Sequence, residues 1–235
     1  MKPKIHSSPA SGFTLIELLV VISIIAILAV LSMSIVGRMQ AAAGKVTCTS
    51  NLRQNFVAYM QEVQDNDSNI PLSRTTSDGS WTEKYHKSLG GNWQLPSGGT
   101  PAASIVGCPV HRRKIGRTVK INGQDYGPNH RTFGMNLRLT DNNINKDKAA
   151  LPKLGAFTYP QSTALITEGW LEDKGTPNGG VSYEKLPDLV HDNKANILFL
   201  DGHVEAWTKA QLDEVKNGAL IDGKGGKTSL FWIGF

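Results

Sequence analysis

The chain has 235 residues, of which 40% are hydrophobic and 19% charged; this excludes a disordered polyelectrolyte and a multi-span membrane protein and fits one globular domain with an appendage. The formal charge of +5 and pI near 9.2 come from 25 basic and 20 acidic residues, a balance that makes no case by itself for nucleic acid or anionic lipid. The 24 glycines and 11 prolines predict many turns and short strands, and two cysteines exclude a disulfide-built scaffold.

Residues Met1 to Gly12 contain Lys2, Lys4 and His6 but no apolar stretch, and read as a hydrophilic leader. From Phe13 to Val36 only Thr14, Glu17, Ser23, Ser32 and Ser34 are not apolar. A helix over this run is about 36 Å long, enough to cross a hydrocarbon core of about 30 Å, so one membrane span is expected. Ala41-Ala42-Ala43 follows the run and offers a competing reading as a secretory signal with a cleavage site. Against it, the apolar stretch is about twice the usual signal length and carries a carboxylate near its start. Lys2 and Lys4 favour a cytoplasmic amino terminus, although Arg38 and Lys45 follow the span closely. Glu17 stands out, because a carboxylate one turn inside a membrane helix is costly unless paired, whereas at the headgroup level it is simply solvated.

The segment Gly12-Phe13-Thr14-Leu15-Ile16-Glu17-Leu18-Leu19-Val20-Val21-Ile22 resembles the amino-terminal signature of type IV pilins and type II secretion pseudopilins. That resemblance implies cleavage after Gly12 by a prepilin peptidase on the cytoplasmic side and N-methylation of the new terminus at Phe13. Glu17 would become the fifth residue of the mature chain and pair with the Phe13 amine of a neighbouring subunit. Such a pair fixes axial register more than it adds stability. The implied partners are copies of this chain and other pilin-like subunits in a filament, the prepilin peptidase and methylase, and an inner-membrane assembly platform. The implied location is the inner membrane, crossed once, with a periplasmic head assembled into a periplasmic or cell-surface filament.

Past the span, Met39, Ala42, Val46, Thr49, Leu52, Phe56, Tyr59 or Met60, and Val63 recur at steps of three and four, the spacing of one helical face. One helix from Phe13 to about Asp65 is predicted, ending at Asp65-Asn66-Asp67-Ser68-Asn69 with Pro71 beyond. Gly37 and Gly44 cost up to about 1 kcal/mol each relative to Ala and leave open two helices parted between them. The expected organisation is a leader at 1–12, a transmembrane half-helix at 13–36, a periplasmic half-helix at 37–65 and a β-rich head at 66–235. The fold class is α+β, pilin-like by the resemblance, with the long helix packed on an antiparallel sheet.

Cys48 lies on this helix and Cys108 in Val106-Gly107-Cys108-Pro109. The residues alone permit one bridge or two thiols. The Cys-Thr-Ser-Asn-Leu-Arg-Gln segment followed by Cys-Pro resembles exported pilin-like proteins of planctomycete and related lineages, which implies a Cys48–Cys108 disulfide. Towards the carboxy end, His191 is followed by nine residues and then Asp201-Gly202, which resembles the prepilin-processing-associated motif of those lineages. From the residues, Ile197 to Leu200 is a buried-type strand, Asp201-Gly202 a tight turn with positive φ at Gly202, and Val204 to Trp207 the returning strand. A folding role accounts for the motif first.

His191, Asp192, Asp201 and His203 could instead form a metal or catalytic cluster, although their spacing fits no zinc signature. Some pseudopilins hold calcium in a carboxy-side loop, which makes Asp188, Asp192 and Asp201 candidate oxygen ligands; otherwise no cofactor is expected. Asp141 to Asp147 lacks the glycine of a calcium loop and has Pro152 where the bidentate Glu belongs. His111-Arg112-Arg113-Lys114, with Arg117 and Lys120, is the densest basic cluster and reads as a solvated loop ahead of a nucleic-acid site. No Gly-rich phosphate loop, Gly-x-Ser-x-Gly elbow or His-Glu-x-x-His sequence is present, and no enzyme is expected. The leading function is a structural subunit of a type IV pilus-like or type II secretion pseudopilus filament. Its rivals are a membrane-tethered hydrolase using the His191 region and a DNA- or ligand-binding minor pilin. The tail Leu230 to Phe235 reads as a last strand or core anchor, or as a surface facing a neighbouring subunit.

Overall fold

The computed structural model describes residues 13–71, 74–75, 79–89, 105, 107–111, 119–121, 124–126, 132–140, 153–171, 177–178, 180–182, 185–216 and 226–233. The chain divides into two compact units, Met1–Ala42 and Ala43–Phe235. Helix α1, Leu15–Asp65, contributes to both. Gly37 and Gly44 sit inside this single helix, so the reading of two helices parted there does not hold. The helix formers around them, Arg38, Met39, Gln40 and Ala41 to Ala43, offset the glycine penalty.

In the first unit the apolar side chains described from Leu15 to Leu31 are all exposed, and this part of α1 is long and apolar enough to cross a membrane.

In the second unit α1 buries Gly44, Cys48, Leu52, Asn55, Tyr59 and Val63, again at steps of three and four. The observed face differs from the expected one at its start: Met39, Ala42 and Val46 are exposed. Cys48 sets the rotation through its covalent link, and Gly44, which has no side chain, faces inward one turn before it. The helix ends where Asp67 and Ser68 turn left-handed, with φ of 54° and 67°, and Ser68 N donates to Val63 O at 2.9 Å.

Two hairpins, β1 (Arg74–Thr75) with β2 (Gly79–Ser80) and β3 (Val119–Ile121) with β4 (Gln124–Tyr126), stand apart from the central sheet. So does the pair β7 (Trp170–Leu171) with β8 (Pro177–Asn178). The central sheet comprises β5 (Phe133–Asn136), β6 (Ala164–Glu168), β9 (Gly180–Val181), β10 (Lys194–Phe199) and β11 (Val204–Thr208), in the order β11-β10-β6-β5-β9. Neighbours are antiparallel apart from the short β9, which runs parallel to β5. The architecture is α+β, a long amino-terminal helix with a largely antiparallel sheet.

Both faces of the sheet are covered, which explains why Ile197 to Leu200 reads as a continuous apolar run. Leu198 and Leu200 join Cys48, Leu52, Tyr59 and Val63 of α1 in one core. Ala195, Ile197 and Phe199 join a second core with Leu212, Val215, Phe231 and Trp232. The tail is a helix, Lys227–Ile233, and not a strand. A strand would send the consecutive Phe231 and Trp232 to opposite faces, whereas the helical turn brings both into the second core. Trp232 Nε1 donates to Val215 O at 2.6 Å, so the tail is a core anchor.

Candidate functional site

The N-terminal segment is organised by local bonds. Thr14 caps α1: its N–H and hydroxyl donate to Glu17 Oε2 at 2.9 and 2.8 Å, and its Oγ1 accepts from Glu17 N at 3.3 Å. This is the reciprocal capping box that Thr-x-x-Glu encodes. Ser23 and Ser32 donate to the carbonyls of Leu19 and Leu28 at 2.8 and 2.7 Å. These polar groups are satisfied inside the helix, as a hydrocarbon surrounding requires. Phe13 is 76% exposed, and Gly12 lies outside the described residues.

In the second unit, Cys48 and Cys108 form a disulfide, with Cα atoms 4.8 Å apart. The Cys108 side is held by Thr132, whose Oγ1 accepts from Cys108 N at 2.5 Å. Asn51 and Asn55 of α1 donate to the carbonyls of Gly107 and Ile105 at 2.9 and 2.8 Å, so the bridge and two amides tie the helix to this segment.

His191 closes the cluster. Its Nε2 lies 2.9 Å from Glu168 Oε1 and 3.3 Å from Cys108 Sγ. Glu168, at the end of β6, is fully buried, and its carboxylate also accepts from Asn196 N at 2.5 Å and from Asn196 Nδ2 at 3.3 Å. A buried carboxylate needs such partners. Sulfur and carboxylate meet the same ring nitrogen, whereas a nucleophile relay would place them on opposite nitrogens.

The far end of the motif meets α1. Gly202 has φ of 91°, and a Cβ there would stand 2.5 Å from Phe56 Cε1. The β10–β11 hairpin is as expected, with Leu198 paired to Val204 and Gly202 N donating to Phe199 O at 3.0 Å. Asp201 Oδ1 accepts from His203 N at 3.1 Å and lies 2.6 Å from its Nδ1. His191 therefore ties the start of the hairpin to Glu168 and Cys108, and Gly202 seats its turn against Phe56 of α1.

Other candidates fall elsewhere. Among the described residues, the potential metal ligands within 4.8 Å of one another are Cys48, Cys108, Glu168 and His191. Asp188, Asp192 and Asp201 are not among them, so the described residues assemble no calcium site from that set. Asp201 is engaged with His203, Asp192 is an exposed residue of a left-handed turn with φ of 51°, and Asp188 Oδ2 lies 3.3 Å from His111 Nε2. The proposed grouping of His191 with Asp192, Asp201 and His203 is likewise replaced, since His191 turns inward to Glu168. His111 is buried, its Nδ1 3.1 Å from Thr132 O, and so belongs to no basic surface loop. Arg112 to Lys114, Arg117 and Asp141 to Asp147 lie outside the described residues.

Sequence reasoning missed Thr14, although Thr-x-x-Glu is a local cap signal. It also missed Glu168, whose signal is a carboxylate closing the buried-type run Ala164 to Thr167.

Residues 8–33 match the family model of the prokaryotic N-terminal methylation motif, the type IV pilin and pseudopilin signature. No curated protein and no solved structure gives a significant match.

Proposed function

We propose that this chain is a structural subunit of a type IV pilus-like or type II secretion pseudopilus filament. The observation that carries the reading is the methylation-motif match at residues 8–33, which runs into the exposed apolar first turns of α1. In this reading residues 1–12 are a leader removed by prepilin peptidase, 13–36 the membrane span, 37–65 the periplasmic half-helix and 66–235 the head. Processing between Gly12 and Phe13 leaves a methylated Phe13 amine. Glu17 then exchanges its bonds to Thr14 for the amine of a neighbouring Phe13 as the subunit enters the filament. The apolar surface of the first unit, membrane-covered in storage, is buried among the equivalent helices of other subunits.

The burial of His191 and the engagement of both Glu168 oxygens favour a structural role for the His191 motif over the hydrolase alternative. Mass spectrometry of the mature amino terminus tests the proposal. The expected start is N-methylated Phe13, and a start at Gly44 would overturn it, because the released unit would lack the assembly helix.

A further inference from the structure

We propose that, when the Cys48–Cys108 bridge is reduced, Cys48, Cys108, His191 and Glu168 form a tetrahedral zinc site that replaces the disulfide as the link between α1 and the sheet.

The four residues come from α1, from the segment before Thr132, from the turn before β10 and from β6, and their ligand atoms lie within 4.8 Å of one another. Three of them are fully buried and His191 is 4% exposed. Convergence of Cys108 Sγ and Glu168 Oε1 on one nitrogen, His191 Nε2, is poor geometry for a proton relay. It is what ligands of a shared ion do: with zinc about 2.3 Å from sulfur and about 2.0 Å from nitrogen or oxygen, neighbouring ligands stand roughly 3 to 4 Å apart. The observed separations of 2.9 and 3.3 Å are close to that. The two bonded sulfurs must separate, which breaking their bond permits, and the widest separations, up to 4.8 Å, must close slightly. The surroundings also suit an ion, because Asn196 N and Nδ2 hold the Glu168 carboxylate as outer partners hold a metal ligand.

The states interconvert with a defined balance. A phosphine reductant takes one water, becomes the phosphine oxide and leaves two thiols. Zinc displaces both thiol protons to solvent and is held by two thiolates, one carboxylate and one neutral imidazole. Reoxidation by a disulfide such as oxidised glutathione removes two electrons from the thiolates, reforms the bridge, reduces the oxidant to two thiols and releases the ion. Disulfide and metal are thus mutually exclusive cross-links at the same point.

The test uses the full chain in detergent micelles, reduced by excess phosphine without oxygen. A thiol count confirms two free cysteines per chain, and a brief urea step with refolding is used if the count falls short. Co2+ is the probe. The expected result is one Co2+ per reduced chain with thiolate-to-cobalt absorption and the visible bands of a tetrahedral ion, displaced by Zn2+, and no such binding to the oxidised chain. His191→Ala and Glu168→Gln should each weaken Co2+ binding at least about tenfold. Absence of the thiolate-to-cobalt band, equal binding by the oxidised chain, or wild-type affinity in both variants would overturn the proposal. A measurement on the wild type alone guards against misfolded variants. One equivalent of Zn2+ should slow bridge formation by oxidised glutathione about tenfold or more, and an unchanged rate would equally overturn it.

Discussion

Replacing Gly202 with Ala tests how the hairpin turn is docked. Two separate costs arise. The first is conformational: at φ of 91° an L side chain crowds its own backbone, for about 1–2 kcal/mol. The second is a collision, because the new methyl would lie 2.5, 2.8 and 2.9 Å from Cε1, Cδ1 and Cζ of Phe56. The ring can swing aside, but only by giving up its packing on Tyr59, whose ring centroid lies 6.2 Å away; overpacking of this kind costs about 1–3 kcal/mol. The single variant should therefore lose about 2–5 kcal/mol, a large part of the stability of an ordinary domain. Urea unfolding of the full chain in micelles, followed by tryptophan fluorescence, gives the loss. Repeating the substitution in a Phe56→Ala background removes the collision and keeps the backbone strain, so the cost should fall by about 1–3 kcal/mol. An equal cost in both backgrounds would refute docking of the turn on Phe56, and no cost in either would refute the left-handed turn.

Burial holds the phenols of Tyr59 and Tyr85 well above the usual tyrosine range, the nearby Tyr59 and Glu62 adding to the shift at Tyr85. Because the unfolded chain ionises first, stability should be flat below about pH 10 and fall above it by up to about 1.4 kcal/mol per pH unit for each tyrosine; alkaline unfolding series on wild type and Tyr85→Phe, which should have the shallower slope, check this. Neither hydroxyl has a hydrogen-bond partner among the described residues, so Tyr59→Phe and Tyr85→Phe should be neutral or stabilising at pH 7 in the same urea assay. Glu168→Ala strips His191 and Asn196 N of a buried acceptor and should cost about 3–5 kcal/mol, while Glu168→Gln, which keeps an acceptor, should cost less; equal losses would show that the hydrogen bonds do not matter. Glu17→Leu should leave membrane-fraction levels unchanged or higher and reduce sheared or periplasmic filament yield, and equal yield at equal membrane level would remove Glu17 from assembly.

The parts of this fold legible in the sequence are those whose cause is local. The apolar run from Phe13, the end of α1 in an Asn- and Asp-rich turn, and the Asp201-Gly202 hairpin all depend on residues within a few positions of one another. The β5–β6 pairing and the parallel β9 leave no such trace, because each joins segments separated by long connections. The face of α1 was readable only from Leu52 onward. Before it, the link from Cys48 to a segment 60 residues away decides which side turns inward. Glu168 was missed for the same reason, since its partner His191 lies 23 positions on and a carboxylate at a strand end reads as solvent-facing until that partner is placed. The His191 motif is legible as a pattern, but its meaning, one end tied to Glu168 and Cys108 and the other seated on α1, needs the contacts.

The position of the bridge also decides how the fold carries load. Cys48 lies near the start of the buried part of α1, so a pull from the amino-terminal side of the helix reaches the covalent link before it reaches Leu52, Tyr59 or Val63. Tension passes from the helix backbone through sulfur to Cys108 and on to the Thr132 segment, and the apolar contacts beyond are shielded from peeling one at a time. With the bridge open, the same pull would act as a zipper opened from its end, turn by turn, against side-chain packing alone. Rupture force measured on single chains should therefore drop sharply on reduction even where equilibrium stability changes only by the few kcal/mol expected of a disulfide.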